Sequence, residues 1–530
     1  MQDYDDIPYQ SLSFADSHPD RLAVLGRLFG LATPAVEQCR VLELGCAQGG
    51  NLIPMAYSLP GAEFLGVELS PMQAGMGNAG IRQLGLSNAS IHQGDILELG
   101  AELGQFDYII AHGLFSWVEA DVRDKLLEIT RRLLHPNGLA YISYNINPGW
   151  HLRGMLRDLL LYHVRGIEQP RQRLAKAQAL LPEISKTLVG VDTPVAKYLM
   201  EQITRLRGED PSYLYHEFLA PANQPMLFSE FIQQAGQHGL RYVCDCELYT
   251  MFASSLGEHA APFIDAFEDL VEQEQYMDFL RGRGFRQSVL CHESVMPDYE
   301  IDLSALEQFA MYADLQPQIK SKRGSKAQTF LTTAGERFSV HEPLTAAVLD
   351  NLGKHYPNAV ALPQLFEVAK QQLSRNSLET YERKKDLSLG ELFNLFANGI
   401  VGLSTRALQY PAPNPERPVA TALARLQAAQ GDTVTTIWHG NINVDAFAAR
   451  FIQYLDGTQG LDEVVEKLTV AVSNGELPIC NDSPSNDVKS IQSLAAIRES
   501  VAANCQRLLS VFIHYGVFDA DAVSLHGHAA

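Results

Sequence analysis

The chain runs to 530 residues with 41 basic and 62 acidic side chains, a formal net charge of −21 that argues against broad non-specific binding to nucleic acid or an anionic membrane. Hydrophobic residues make up 46% and charged residues 19%, which excludes a disordered chain. That length leaves room for three or four packed domains of ~100–200 residues each. The acidic opening Met1-Gln2-Asp3-Tyr4-Asp5-Asp6 has no apolar core and is not expected to be a signal peptide. No stretch reaches the ~20 apolar residues of a membrane span, so a cytoplasmic protein without membrane insertion is expected. The 7 cysteines are odd in number and scattered, which does not suit a disulfide scaffold.

Residues 4–14 (Tyr4, Ile7, Pro8, Tyr9, Leu12, Phe14) are aromatic and irregular, suited to a lid over a site or to an arm packed on the first domain. Pro19 opens a helix with Leu22, Leu25, Leu28 and Phe29 on one face, and Gly30 closes it. The chain is then organised around Val41-Leu42-Glu43-Leu44-Gly45-Cys46-Ala47-Gln48-Gly49-Gly50-Asn51. This reads as a buried strand carrying an acid, a glycine-rich turn, and a helix N-terminus. Glycines there let backbone amides approach a ligand closely.

Phe64-Leu65-Gly66-Val67-Glu68-Leu69 reads as a second strand ending in an acid, followed by Ser70, Pro71 and Gln73 as a capping box. Glu68 follows Gly49 by 19 residues, the separation at which a βαβ unit brings a carboxylate to the ribose hydroxyls of a nucleotide. A third strand (89–94) closes on Asp95-Ile96, and a fourth (106–111) leads into His112-Gly113-Leu114-Phe115-Ser116-Trp117. A helix ending at His135-Pro136-Asn137-Gly138 precedes a fifth strand (139–145), which stops at Pro148-Gly149. Strands alternating with helices predict an α/β, Rossmann-like doubly wound parallel sheet. Its ligand belongs at the carboxyl ends of the strands, where Gly45, Glu68, Asp95, His112 and Tyr144 converge.

NAD-binding sheets place G-x-G-x-x-G after the first strand. Here the pattern is Glu43-x-Gly45-x-Ala47-x-Gly49, with Gly94-Asp95-Ile96 on the third strand, and it resembles the class I S-adenosyl-L-methionine (SAM)-dependent methyltransferases. The resemblance implies SAM as cofactor, with the loop Gly45 to Gly49 against the methionine end, Glu68 on the ribose and Asp95 at the adenine amine. Glu43, Cys46, Ala47, Asn51, Leu69, Ile96 and His112 complete the candidate cofactor-binding set. Ala47 replaces the usual middle glycine, a mild departure because one methyl can be accommodated.

Four further stretches resemble bacterial proteins with a methyltransferase regulatory domain. They are His112 to Val118, Ser143-Tyr144-Asn145-x-x-Pro148-Gly149-Trp150, His216-Glu217-Phe218-Leu219 and Phe285-Arg286-Gln287. That group includes the rickettsial-type protein lysine methyltransferases that modify outer-membrane proteins. The likeness runs through most of the chain and implies a winged-helix-like C-terminus and a protein substrate, basic or outer-membrane in kind. Tyrosine commonly stands in the place of Phe115, so no hydroxyl role is expected there.

After Trp150 the pattern is helical for about sixty residues and reads as an inserted cap. A helix (229–238) precedes strand six (240–248), and a second helical insert (262–280) precedes strand seven (285–292). The charges from Glu274 through Arg286 read as an ion-paired inter-domain surface. Expected domains are 1–150, the SAM-binding core; 151–297, inserts and completion of the sheet, available for substrate selection or for a homodimer; 298–410, winged-helix-like; and 411–530, mainly helical. Lys320, Lys322, Arg323 and Lys326 make a basic loop, and Pro411, Pro413, Pro415 and Pro418 a stiff linker before further helices and a polar loop at 474–490. Cys244 and Cys246 have no second pair at zinc spacing, so no metal is expected.

Methyl transfer from a sulfonium is an in-line displacement that relies on positioning. A lysine acceptor needs acceptors for its N–H groups and apolar, aromatic surroundings that lower its pKa. Tyr9, Phe115, Trp117, Tyr144 and Asn145 are the catalytic candidates. The reading is a SAM-dependent methyltransferase acting on protein lysines, with no nucleic acid partner. Alternatives are a small-molecule N- or O-methyltransferase and a non-catalytic SAM-binding interaction protein.

Overall fold

The computed structural model describes residues 6–319, 327–373, 381–410, 413–478 and 493–519. Tyr4, the basic loop from Lys320 to Lys326, Pro411 and most of the polar loop (479–490) lie outside the described residues. The chain divides into two compact units, one of Met1–Ser11, Leu25–Arg82 and Leu86–Ile301, the other of Leu12–Val24, Gln83–Gly85 and Asp302–Ala530.

The first unit is built on β1 (Arg40–Leu44), β2 (Glu63–Glu68), β3 (Ala89–Gln93), β4 (Phe106–Ala111), β5 (Leu134–Asn145), β6 (Leu240–Asp245) and β7 (Phe285–His292), in the order β3-β2-β1-β4-β5-β7-β6. The first five are parallel to their neighbours, whereas β7 runs antiparallel to both β5 and β6. Val41, Leu42 and Leu44 of β1 are fully buried, as an apolar run covered on both faces requires. Strand order reverses between β1 and β4, which opens a crevice at the carboxyl ends of the strands.

Local chemistry sets the flanking helices. The Ser70 hydroxyl accepts from the Gln73 amide at 3.1 Å and starts the helix Pro71–Gln83, as the capping pattern predicts. Helix Ala120–Leu133 buries Leu126, Leu127, Ile129 and Leu133 and carries Arg131 and Arg132 in its last turn, where the helix dipole favours cations. Its end differs from the expected stop at 135–138. β5 begins at once at Leu134, and those residues bulge out between the pairs Phe106–Leu134 and Tyr108–Leu139.

The cap comprises four helices, Gly149–His163, Pro170–Thr187, Pro194–Leu206 and Pro211–Phe218, three of them opened by a proline in the first turn. They share a core of their own around Leu156, Leu160, Leu181, Ile203 and Leu214. The second insert is shorter and broken, with helices Ala261–Ile264 and Leu270–Arg281; Asp269 caps the latter by accepting from the Glu272 amide at 2.9 Å. β6 stops at Asp245 rather than 248, because the Asp245 carboxylate takes the Glu247 amide at 2.9 Å and turns the chain. The charges around Arg286 are not an inter-domain surface. Arg286 is 1% exposed and is bonded to Glu274 at 2.7 Å and Asp278 at 2.8 Å, with Arg283 bonded to Asp245 at 2.8 Å, inside the first unit.

The second unit contains an antiparallel sheet of Leu315–Ile319, Gln328–Thr332 and Arg337–Val340, and a smaller one of Ala310–Tyr312, Val360–Ala361 and Gly402–Ser404. Helices Pro343–His355, Leu362–Lys370 and Tyr381–Ala397 accompany them. Further on, a hairpin of Thr433–Thr435 and Asn441–Asn443 sits among helices Ala422–Gln430, Ala446–Tyr454, Leu461–Ser473 and Leu494–His514. Val434, Phe447, Phe451, Val464 and Phe512 belong to that segment's core. The hairpin has no counterpart in the sequence reading.

Candidate active site

The turn after β1 is held in a left-handed conformation at Gly45 (φ 71°), Ala47 (φ 49°) and Gly49 (φ 77°). A Cβ on Gly49 would meet Ile53 and Ile91 at 3.0–3.1 Å, so this glycine is needed for space as well as conformation. At Ala47 the constraint is the backbone, since an alanine in this region costs about 1–2 kcal/mol. Glycine is therefore usual there for its φ freedom, which the reading from side-chain volume did not see.

The Ala47 amide donates to Glu68 Oε2 at 2.9 Å, and the Ser70 amide to Glu68 Oε1 at 2.8 Å. Glu68 thus sits at the end of β2 with its carboxylate across the turn. Glu43, 3% exposed in β1, accepts from Asn51 Nδ2 at 2.9 Å through Oε1, while its Oε2 is sealed without a partner among the described residues. Burial pushes its pKa up to about 7, against the opposing pull of the Asn51 hydrogen bond. Cys46 is buried, and burial first, then Glu43 and Glu68, raise its thiol pKa well above the usual range, which makes it an inert packing residue.

Asp95 ends the β3 segment half-buried and accepts from the Leu97 amide at 2.9 Å, with Ile96 buried behind it and Leu69 exposed beyond β2. At the end of β4, His112 Nδ1 meets the Tyr141 hydroxyl at 2.8 Å, and burial lowers its pKa to about 3, leaving a neutral imidazole at neutral pH. The loop that follows is tied to β5: the Gly113 amide donates to Ser143 Oγ at 2.7 Å and the Asn145 amide to Ser116 Oγ at 2.8 Å. The carboxyl ends of β1 to β5 thereby bring Gly45, Glu68, Asp95, His112 and Asn145 to one edge of the sheet.

The aromatic candidates divide. Phe115 is fully buried and Tyr144 is 1% exposed. Tyr144 stacks on Phe231 at 3.9 Å and engages Ser288 Oγ at 2.9 Å, while Phe115 meets Phe231 edge-on at 5.2 Å. Both are packing beneath the edge, with burial raising the Tyr144 phenol beyond any physiological titration. Trp117 is half-buried and meets Trp150 at 6.1 Å. Tyr9 lies in an arm that packs on the cap: it meets the His216 ring edge-on at 5.4 Å, and His216 Nε2 donates to the Ile7 carbonyl at 2.6 Å. The same arm reaches the glycine-rich loop, where the Gly50 amide donates to Ser11 Oγ at 2.8 Å.

Sequence reasoning missed Ser11, Ser116, Ser143 and Asn223; the last accepts from Asn145 Nδ2 at 3.1 Å. Among the described residues no group of His, Cys, Asp and Glu is clustered to hold a metal ion, and no helix is long and apolar enough to cross a membrane.

Comparison with known proteins gives three family matches: the methyltransferase domain over residues 41–138, the predicted methyltransferase regulatory domain over 210–292, and the PKMT C-terminal winged helix domain over 416–517. The winged-helix match falls on the segment that the sequence reading left as mainly helical, and it includes the hairpin. The uncharacterized protein RP789 of Rickettsia prowazekii (strain Madrid E) is 33% identical over 488 residues, covering 90% of this chain and 88% of that one. The uncharacterized protein RP028 of the same organism is 36% identical over 232 residues, 44% of this chain and 93% of that one. PKMT2 from Rickettsia typhi superposes with a TM-score of 0.82 at 28% identity over 96% of this chain and 100% of that one. Its complex with AdoHcy (S-adenosylhomocysteine) superposes with a TM-score of 0.81 at 27% identity over the same shares.

The strand ends fit such a ligand. The carboxylates of Glu68, at the end of β2, and Asp95, past the end of β3, stand half-buried beside the crevice where the strand order reverses. The protein is a methyltransferase and SAM is its cofactor. It belongs to the family of class I SAM-dependent methyltransferases that carry a methyltransferase regulatory domain and a PKMT winged-helix domain.

Proposed function

We propose that this enzyme methylates lysine side chains of a protein substrate. The observation that carries the reading is the end-to-end likeness to PKMT2 from Rickettsia typhi, which spans 100% of that chain and so takes in the C-terminal half as well as the catalytic sheet. The net charge of −21 favours a basic partner.

SAM, when bound, would supply an electrophilic methyl on sulfur. The Gly45 to Gly49 backbone would cradle its methionine end, Glu68 would hold the ribose hydroxyls, and Asp95 would accept from the adenine amine. The chain's remaining task is to present a neutral amine. Deprotonating a lysine of pKa ~10.4 near pH 7 costs roughly 4–5 kcal/mol, which half-buried aromatic surroundings such as Trp117 reduce by desolvation. Neutral His112 adds no opposing positive charge, and Asn145 offers a side-chain oxygen to an amine N–H. Phe115 and Tyr144 act from below, as the packed floor.

Purified enzyme incubated with methyl-labelled SAM and fractionated cell extract tests the reading. Label is expected in protein bands; label confined to small molecules, or none, would reject it.

A further inference from the structure

We infer that Asn223 is a positioning residue for methyl transfer, locking the Asn145 carboxamide so that its carbonyl oxygen faces the acceptor amine. The inference rests on the lysine reading above and assigns a catalytic-site duty to the segment matched by the regulatory domain.

Asn145 closes β5 and is 3% exposed. Its backbone is committed on both sides, with the amide donating to Ser116 Oγ at 2.8 Å and the carbonyl accepting from the Met226 amide at 3.3 Å. Its side-chain nitrogen is committed too, donating to Asn223 Oδ1 at 3.1 Å. The side-chain oxygen alone has no partner among the described residues. It is also not one of the sealed, unpaired side-chain atoms, so its lone pairs open at the carboxyl end of the strand.

An open acceptor that no protein group fills is available to a ligand. Here the missing partner is a donor. A lysine amine brings N–H donors and must hold its lone pair toward the methyl group, so it needs acceptors behind it. An unrestrained carboxamide could turn over and present its own N–H groups, a donor-to-donor clash with the amine. The acceptor on Asn223 removes that alternative.

Asn223 is itself held in place. The Gln224 amide donates to the Ser116 carbonyl at 2.8 Å, and the Asn147 amide to the Met226 carbonyl at 3.0 Å. Arg157 of the first cap helix binds the Ala220 carbonyl at 2.6 Å and the Glu217 carbonyl at 3.3 Å. The segment therefore runs across the ends of β4 and β5 on backbone bonds that do not involve the Asn223 side chain. Its substitution should leave the fold intact.

The test compares Asn223→Leu with Asn223→Asp in the full chain. Leucine removes the acceptor; aspartate keeps it and adds a negative charge. With the protein fraction labelled by the native enzyme as substrate, Asn223→Leu is expected to lower kcat roughly 10–100-fold, the scale of a misplaced reacting group, at unchanged SAM affinity and thermal midpoint. Asn223→Asp should recover most of that rate at alkaline pH, with its pH–rate profile displaced upward because the carboxylate favours the ammonium form. An Asn223→Leu enzyme as fast as the native one, or an Asn223→Asp enzyme as slow as the leucine variant at every pH, overturns the inference.

A second readout needs no acceptor. With 15N-asparagine labelling, the Asn145 side-chain amide protons, identified by their loss in Asn145→Asp, should be protected from exchange in the native and Asn223→Asp proteins and unprotected in Asn223→Leu. Equal protection in all three overturns the inference. A native enzyme that labels no protein rejects the lysine reading instead, and this exchange result still decides the role of Asn223.

Discussion

The Ala47 amide and the Glu68 carboxylate are hydrogen-bonded at 2.9 Å, so the acid that ends β2 also pins the turn that follows β1. Removing it loosens that turn and takes away the carboxylate proposed to hold the ribose. Glu68→Ala is expected to weaken SAM or S-adenosylhomocysteine binding by about 1.5–3 kcal/mol, the scale of hydrogen bonds to a charged group. Titration calorimetry reads this directly, and unchanged affinity would remove Glu68 from the site.

Glu43 makes stability fall with pH. Its folded pKa is raised to about 7 by burial, above that of an unfolded glutamate, so the folded state holds the extra proton between roughly pH 4.5 and 7. Stability is lost as pH rises through that window. Glu43→Gln keeps an oxygen for Asn51 and abolishes the titration. The variant should gain about 2–3 kcal/mol on the native ligand-free protein between pH 4.5 and 8. Denaturant unfolding at the two pH values checks it; a difference independent of pH would place the raised acid elsewhere. Glu217, also raised to about 7 by burial, cancels in that comparison.

Ala47 predicts a stabilising substitution. At φ 49° its Cβ is strained, and glycine relieves that strain at a smaller cost in unfolded-chain entropy. Ala47→Gly should raise stability by about 0.5–1 kcal/mol, read as a higher denaturation midpoint. A lower midpoint would show that the methyl is needed for packing.

The strand-end residues were legible because each is marked by chain spacing: Gly45 and Gly49 by the turn, Glu68 by its distance from it, and Ser70 and Gln73 by their capping pattern. What the chain brings together from far apart was not. Asn223 lies 78 positions from Asn145, in a stretch with no period, and nothing local marks it. Tyr144 and Phe115 lie on the expected edge, but their burial depends on Phe231, contributed by a helix beyond the cap. The bulge at 135–138 carries turn residues that a turn and a bulge share. Arg286 and Glu274 looked like surface charges because the side chains that bury them, Tyr242 and Phe228, come from elements well before them in the chain.

That buried network yields a further prediction. Arg286 is 1% exposed, bonded to Glu274 and Asp278, and lies 3.7 Å over the Phe228 ring. Arg286→Met leaves buried Glu274 without its cation and Asp278 with only the more distant Arg283 at 3.9 Å, and a loss of about 3–5 kcal/mol is expected at neutral pH. Burial already raises both carboxyl pKa values, and loss of the cation raises them further. The deficit should therefore shrink as pH falls and the carboxyls take up protons. Chemical denaturation at pH 7 and pH 5 reads both effects, and a deficit that grows in acid would contradict the assignment.

Peptide mass spectrometry of the labelled protein fraction decides whether the SAM methyl group goes to lysine. The full-length enzyme should place the methyl on lysine Nζ, and Glu68→Ala should reduce the yield of those same peptides at limiting SAM. Methyl groups found only on other side chains, or a protein fraction that acquires none while a small molecule does, would contradict lysine as the acceptor.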